Sequence, residues 1–214
     1  PAVVDRFVAE AQAMHIRWVT LLNDGTQVGD NDYLVERLTG AGIMPIMRLY
    51  TEGGAPINGD LKGLVQHYVA RGVPYYQLYN EPNLRLENQG REPDPARYVD
   101  LWIQAAQQVS EAGGLPGFAS LSPQGDVDDL VFLRAALQEI KARGQTHLLD
   151  RAWISVHNYG RDHLRVRQYD QIVREELGRS LPLIGTEAGL YAEGNVTQEE
   201  QTQAVTQAYD YLRQ

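Results

Sequence analysis

The 214-residue chain contains no cysteine, which at once excludes disulfides, thiolate-bound metals and a cysteine nucleophile. It does not fix the compartment, because secreted enzymes also manage without cysteine. Long apolar runs are missing too: none reaches the ~18 residues of a membrane span, and no signal-peptide pattern is present. Positive charge is scarce, with 19 Lys and Arg against 28 Asp and Glu, for a formal net charge of −9. Such a surface repels a phosphate backbone, so nucleic acid is not an expected partner, and without an apolar span a membrane is not one either. The two common phosphate-cradling signatures, GxGxxG and GxxxxGK[ST], do not occur. No twelve-residue calcium loop follows the acidic stretch at Asp126, Asp128 and Asp129, which is expected to cap a helix instead. The first residue is Pro1 rather than methionine, which reads as a processed or excised piece.

What is present is a regular alternation of helical and strand patterns. Val3, Val4, Phe7, Val8 and Ala11 recur at helical spacing, and "IRWVTLL" (Ile16 to Leu22) then reads as a strand. Further strands are expected at "IMPIMRLY" from Ile43, "PYYQLYN" from Pro74, "LPGFAS" from Leu115, "AWISVHNY" from Ala152 and "LPLIGTE" from Leu181. Helices fall between them. Asp60 is placed to cap the one whose stripe is Leu61, Leu64, Val65, Tyr68 and Val69; Asp94-Pro95 opens the next; Thr197-Gln198-Glu199-Glu200 fits a capping box for the last. Strict alternation implies parallel strands joined by right-handed crossovers, either an open doubly wound sheet or a (β/α)8 barrel. The open dinucleotide-binding sheet wants a glycine-rich turn after an early strand, and "NDGTQVGDND" lacks that spacing. A barrel wants reactive side chains at the C-terminal ends of several strands. Arg48 and Tyr50, Asn80 and Glu81, His157 and Tyr159, and Glu187 stand at such ends. The expectation is therefore an α/β (β/α)8 TIM barrel, a single catalytic domain over residues 1–214. Six strands are visible, and the first and eighth are lacking. Sheet edges left open in this way invite association, with no oligomeric state specified.

The chemistry follows from two carboxylates. Alternation puts Tyr75, Gln77, Tyr79 and Glu81 on one face of their strand, and Leu183, Gly185 and Glu187 on one face of theirs. Two glutamates on one barrel mouth suit glycoside hydrolysis, in which one carboxyl protonates the leaving oxygen and the other attacks the anomeric carbon. No cofactor is called for, and no metal ligand set is spaced along the chain: of the histidines only His157 stands at the rim, while His15, His67, His147 and His163 read as surface or packing residues.

"YYQLYNEPN" resembles the fourth strand of the clan A glycoside hydrolases, "ISVHNYG" their sixth and "LPLIGTEAG" their seventh. The resemblance extends over nearly the whole chain and is nearest to families 5 and 39. It implies a retaining glycosidase with Glu81 as acid/base and Glu187 as nucleophile. It further implies that Asn80 meets the sugar 2-hydroxyl, that Tyr159 donates to Glu187, and that His157, Arg48 and Tyr50 line the substrate pocket. The missing eighth strand departs from the pattern, since in many clan members it supplies an aromatic sugar platform.

Plainer readings stand beside these. Arg48 also suits an ion pair with Glu52, and Trp18, Trp102 and Trp153 are expected in the core. Asn195-Val196-Thr197 matches a glycosylation acceptor, but Thr197 is already expected as a cap. Tyr50, Glu52, Arg85, Glu87 and Arg91 are candidates for outer subsites on rim loops, and the polar loop from Pro82 to Pro93 is the expected determinant of substrate choice. The alternative to an enzyme is a non-catalytic carbohydrate-binding or degraded barrel module.

Overall fold

The computed structural model describes the chain apart from residues 52–53, 160–164, 191–195 and 213–214. Expectations that concern Glu52, His163 and Asn195 lie outside the described residues. Seven α-helices alternate with six strands: α1 Ala2–Ala13, β1 Trp18–Asp24, α2 Asp32–Gly40, β2 Met44–Tyr50, α3 Leu61–Val69, β3 Tyr75–Gln77, α4 Pro95–Glu111, β4 Leu115–Leu121, α5 Asp129–Ala142, β5 Trp153–Tyr159, α6 Arg165–Leu177, β6 Leu183–Gly189 and α7 Gln198–Leu212. The strands are all parallel and run β1-β2-β3-β4-β5-β6 across one sheet.

Local chemistry accounts for the element boundaries. Asp60 accepts from Gly63 N at 2.8 Å, Asp94 from Ala96 N at 2.9 Å and Asp128 from Leu130 N at 3.0 Å, each satisfying an orphan donor at a helix start. Thr197 and Glu200 close a reciprocal capping box before α7 (3.2 and 2.8 Å). The expected stripe of α3 is buried at Leu61, Leu64, Val65 and Tyr68. The first strand begins two residues later than the apolar run suggests. Ile16 N donates to Ala11 O and His15 is left-handed, so Ile16 closes α1 and packs on the core instead of opening the strand.

The sheet is curled. Trp18 of β1, Tyr75 of β3 and Trp153 of β5 meet at ring-centroid distances of 5.2 and 6.1 Å, although none of these strands are neighbours. Only a concave face brings alternate strands together. Gly117 on β4 is what admits the Trp153 ring there, since a Cβ at that position would lie 2.6 Å from it. The convex face is covered by helices: Tyr76 donates to Val65 O on α3, and Phe118 packs edge-on to Trp102 of α4, whose indole N–H donates to Gly117 O at 2.8 Å. The architecture is thus a six-stranded portion of a (β/α) barrel, with β1 and β6 at its edges. Trp102 and Trp153 are core residues as expected, but Trp18 is 46% exposed, because among the described residues β1 has a neighbour on one side only. No described helix is long and apolar enough to cross a membrane.

Candidate active site

The C-terminal ends of β2, β3, β5 and β6 converge on the concave face. The approach to Glu81 is not the regular strand that alternation assumes. Pairing of β3 ends at Gln77, and both Tyr79 (φ 62°) and Glu81 (φ 37°) are left-handed. Each such residue costs on the order of 1–3 kcal/mol unless its surroundings compensate. Tyr79 consequently leaves the concave face, where alternation had put it. It is buried against α4, edge-on to Tyr98, with its hydroxyl donating to Leu101 O at 3.4 Å. Burial pushes its phenol up to about 12. A bond from Glu81 N to Ser120 O (2.7 Å) pins the irregular segment to β4, which carries its own left-handed residue at Ala119 beside a register shift.

Glu81 and Glu187 are brought together. His157 stands between them, wholly buried, with Nδ1 at 2.9 Å from Glu81 Oε1 and 3.7 Å from Glu187 Oε2. One ligand atom from each of the three residues lies within 4.8 Å of the others. The side chains of Glu81 and Glu187 are 14% and 23% exposed, enough to meet a ligand yet mostly withdrawn from water. Their partners differ. Glu187 accepts from Arg48 of β2 and from the Tyr159 hydroxyl at 2.7 Å, whereas Glu81 has the His157 ring. Charge-assisted donors of this kind suit an anion at Glu187. Arg48 therefore reaches across the concavity to Glu187; the Glu52 pairing falls outside the described residues.

The remaining candidates are placed less centrally. Asn80 directs Nδ2 to Glu87 Oε1 at 2.8 Å, and its Oδ1 is buried without a hydrogen-bond partner among the described residues. Tyr50 ends β2 two residues beyond Arg48 and is 55% exposed at the rim, with no hydrogen bond to either carboxylate. Sequence reasoning passed over Gln77, fully buried and in register with Arg48, whose amide atoms both lack a protein partner among the described residues. Alternation had put it on the same face as Glu81, and a polar residue inside an apolar strand was the further signal that could have singled it out. Three ligand-type atoms within reach of one another also suit a divalent cation, but the Arg48 guanidinium already sets a positive charge on Glu187.

No protein-family model matches the chain, and no curated protein matches it in sequence. Solved structures do. A family 51 α-L-arabinofuranosidase from Bifidobacterium longum superposes with a TM-score of 0.52 at 13% identity, over 79% of this chain and 41% of that one. Aphid myrosinase gives 0.59 at 12% identity, over 99% of this chain and 74% of that one. The chain thus spans about two-fifths of the first protein's length and three-quarters of the second's. A 2,3-dimethylmalate lyase scores 0.36, too distant to bear on the fold. At these identities the likeness speaks for the α/β barrel-type fold.

Proposed function

We propose that the chain is the catalytic portion of a retaining glycoside hydrolase acting on a β-linked oligo- or polysaccharide, with Glu81 as acid/base and Glu187 as nucleophile. The observation that carries this reading is the Glu81–Glu187 pair, with carboxylate oxygens within 4.8 Å. Retaining enzymes hold their two carboxyl groups ~5–5.5 Å apart, and inverting ones ~6.5–9.5 Å. The unequal surroundings support this division of roles. Glu187, facing a guanidinium and a phenol, is the one equipped to attack as an anion, and Glu81, beside the His157 ring, is the one to carry a proton. A Glu187 oxygen bonds to the anomeric carbon while the Glu81 proton passes to the glycosidic oxygen and the aglycone leaves as an alcohol. Glu81 then takes a proton from water, whose oxygen displaces Glu187 and restores both side chains. The sequence resemblance to clan A and the structural likeness to an arabinofuranosidase and a myrosinase support the same reading.

Glu187→Ala tests it. Turnover is expected to fall by at least about 10³-fold, and azide should rescue it, giving a glycosyl azide of inverted configuration. A 2-deoxy-2-fluoro glycoside should leave its sugar on the Glu187 peptide of the unmodified protein by mass. Full activity in the variant would sink the assignment, and activity abolished by a chelator would move the chemistry to a cation between the same residues. The open sheet edges favour one other reading, a non-catalytic carbohydrate-binding module, which predicts sugar binding that survives Glu81→Gln with no turnover by any variant.

A further inference from the structure

Regular pairing of β5 and β6 would put Glu187 on the wrong face. The two strands run in register from Ile154↔Leu183 through Ser155↔Ile184 to Val156↔Gly185, and His157 then faces Glu187 rather than Thr186. β6 takes two steps where β5 takes one, so Thr186 is an extra residue between two pairs, the kind of irregularity that re-aims the side chains after it. The faces agree with this shift. Leu183 packs against the core shared with the helices, where its partner Ile154 is buried, whereas Ile184 lines a cavity with Trp18, Tyr75 and Trp153 on the concave side. Side chains alternate along a strand, so an unbroken β6 would turn Gly185 and Glu187 toward the helices with Leu183. Leu183 and Glu187 therefore do not share a face, contrary to expectation: the extra residue returns Glu187 to the concave side, opposite His157. That residue is fastened. Ser155, wholly buried on β5 and two residues before His157 on the same face, holds its hydroxyl 2.6 Å from the Thr186 hydroxyl.

We propose that Ser155 and Thr186 are positioning residues for Glu187. By tying the extra residue of β6 to β5, the hydroxyl pair keeps the strand shifted, and so keeps the carboxylate turned toward His157, Arg48 and Tyr159. The inference rests on the reading of Glu187 as nucleophile and goes beyond it. Both hydroxyls stay out of the bond-making steps and act through the carboxylate that follows Thr186 in sequence. Each is the other's partner, so removing either one breaks the tie and leaves a polar group behind without it.

Thr186→Val, which keeps the shape of the side chain, and Ser155→Ala test this on the aryl β-glycoside that the unmodified protein cleaves fastest. Each is expected to lower kcat about tenfold with KM within about a factor of two, and to slow uptake of a 2-deoxy-2-fluoro glycoside at Glu187 to the same extent. The two changed together should lose no more than either alone, since they share one bond. Thr186→Ser keeps the hydroxyl and should recover most of the loss. The decisive comparison is made without the carboxylate: in Glu187→Ala rescued by azide, adding Thr186→Val should leave the rate within about a factor of two, and Ser155→Ala carries the same comparison if Thr186→Val does not fold. A tenfold loss there too would show that the pair serves the strand or the sugar pocket rather than Glu187. Undiminished labelling in both single variants would show that the backbone holds the shift unaided. Each of these overturns the proposal while leaving the glycosidase reading intact, whereas an unmodified protein that cleaves no aryl glycoside and takes up no fluoro-sugar removes both.

Discussion

β5 and β6 are seven-residue neighbours in one sheet, yet five residues of β5 are buried and none of β6 is. β5 lies between β4 and β6, whereas β6 has β5 on one side only among the described residues. The candidate site straddles this contrast. His157 on β5 is held by packing, and Glu81 by a backbone bond to Ser120 in the well-buried β4. Glu187 stands on the exposed strand, and its placement depends on side-chain ties to Arg48 and Tyr159. One carboxylate is thus positioned by the fold and the other by hydrogen bonds, so the two should fail under different substitutions.

The largest effect should come from attacking the packed side directly. Ile154 and Ile184 carry the same side chain on paired strands, but Ile154 is fully buried and Ile184 only half-buried. Ile154→Ala is expected to cost about 2–5 kcal/mol through lost burial and a cavity. Ile184→Ala should cost less than about 1 kcal/mol, since little apolar area returns to water there. Urea unfolding of both variants checks the contrast. Equal costs would mean that something covers β6 in solution, and the comparison would fail.

Next in size is the loss of the electrostatic tie. Arg48→Ala should lower the melting temperature only modestly, because about a quarter of each side chain stays in water and Tyr159 still donates to Glu187. It should nonetheless reduce turnover about 10²-fold, the usual consequence of a misplaced reacting group. Tyr159→Phe removes a single neutral donor and should cost about tenfold. A large loss of stability with Arg48→Ala would show instead that the pair holds the curled sheet together, making Glu187 as much a part of the fold as Glu81 is.

The sequence carried different parts of this contrast unequally. Periodicity and helix-start signals together located the six strands and seven helices of the described residues, because parallel strands covered on one face by helices read as apolar runs, and Asp60, Asp94 and Asp128 mark helix starts by a local rule. The residues gathered at the mouth were also legible, since Arg48, Glu81, His157, Tyr159 and Glu187 all sit where barrel strands end. Their partnerships were not. Strict alternation misplaced Tyr79, because left-handed residues at 79 and 81 break the period that the argument needs. Trp18 was expected in the core although the lack of a first strand already marked its strand as an edge; its exposure is the consequence of that edge. Glu87 looked like one more acid on a rim loop, and its bond to Asn80 depends on how Asn88 and Arg97 fold that loop, which no spacing rule encodes.

The smallest expected effect concerns the outer layer that shields β5. Arg134 on α5 reaches Glu175 (2.6 Å) and Glu176 (2.9 Å) on α6, and Lys141 adds a bond to Glu176 at 3.1 Å. The hydrogen bond from Arg134, with a second from Gln171, holds the Glu175 carboxyl below its ordinary range. A carboxyl whose value is lower folded than unfolded contributes its stability above the unfolded value, about 4.3 for glutamate, and loses it as pH falls through the folded one. Arg134→Ala should therefore lower the melting temperature slightly at pH 7, by no more than about two degrees for so exposed a pair. The gap between variant and unmodified protein should close as the pH drops below the carboxylate range, and shrink with added salt at neutral pH. A gap that persists in acid would mean that Arg134 acts through its aliphatic stem packed along α6 rather than through charge. The tie that Arg134 makes across the layer over β5 would then be packing rather than charge, which widens rather than narrows the difference from β6.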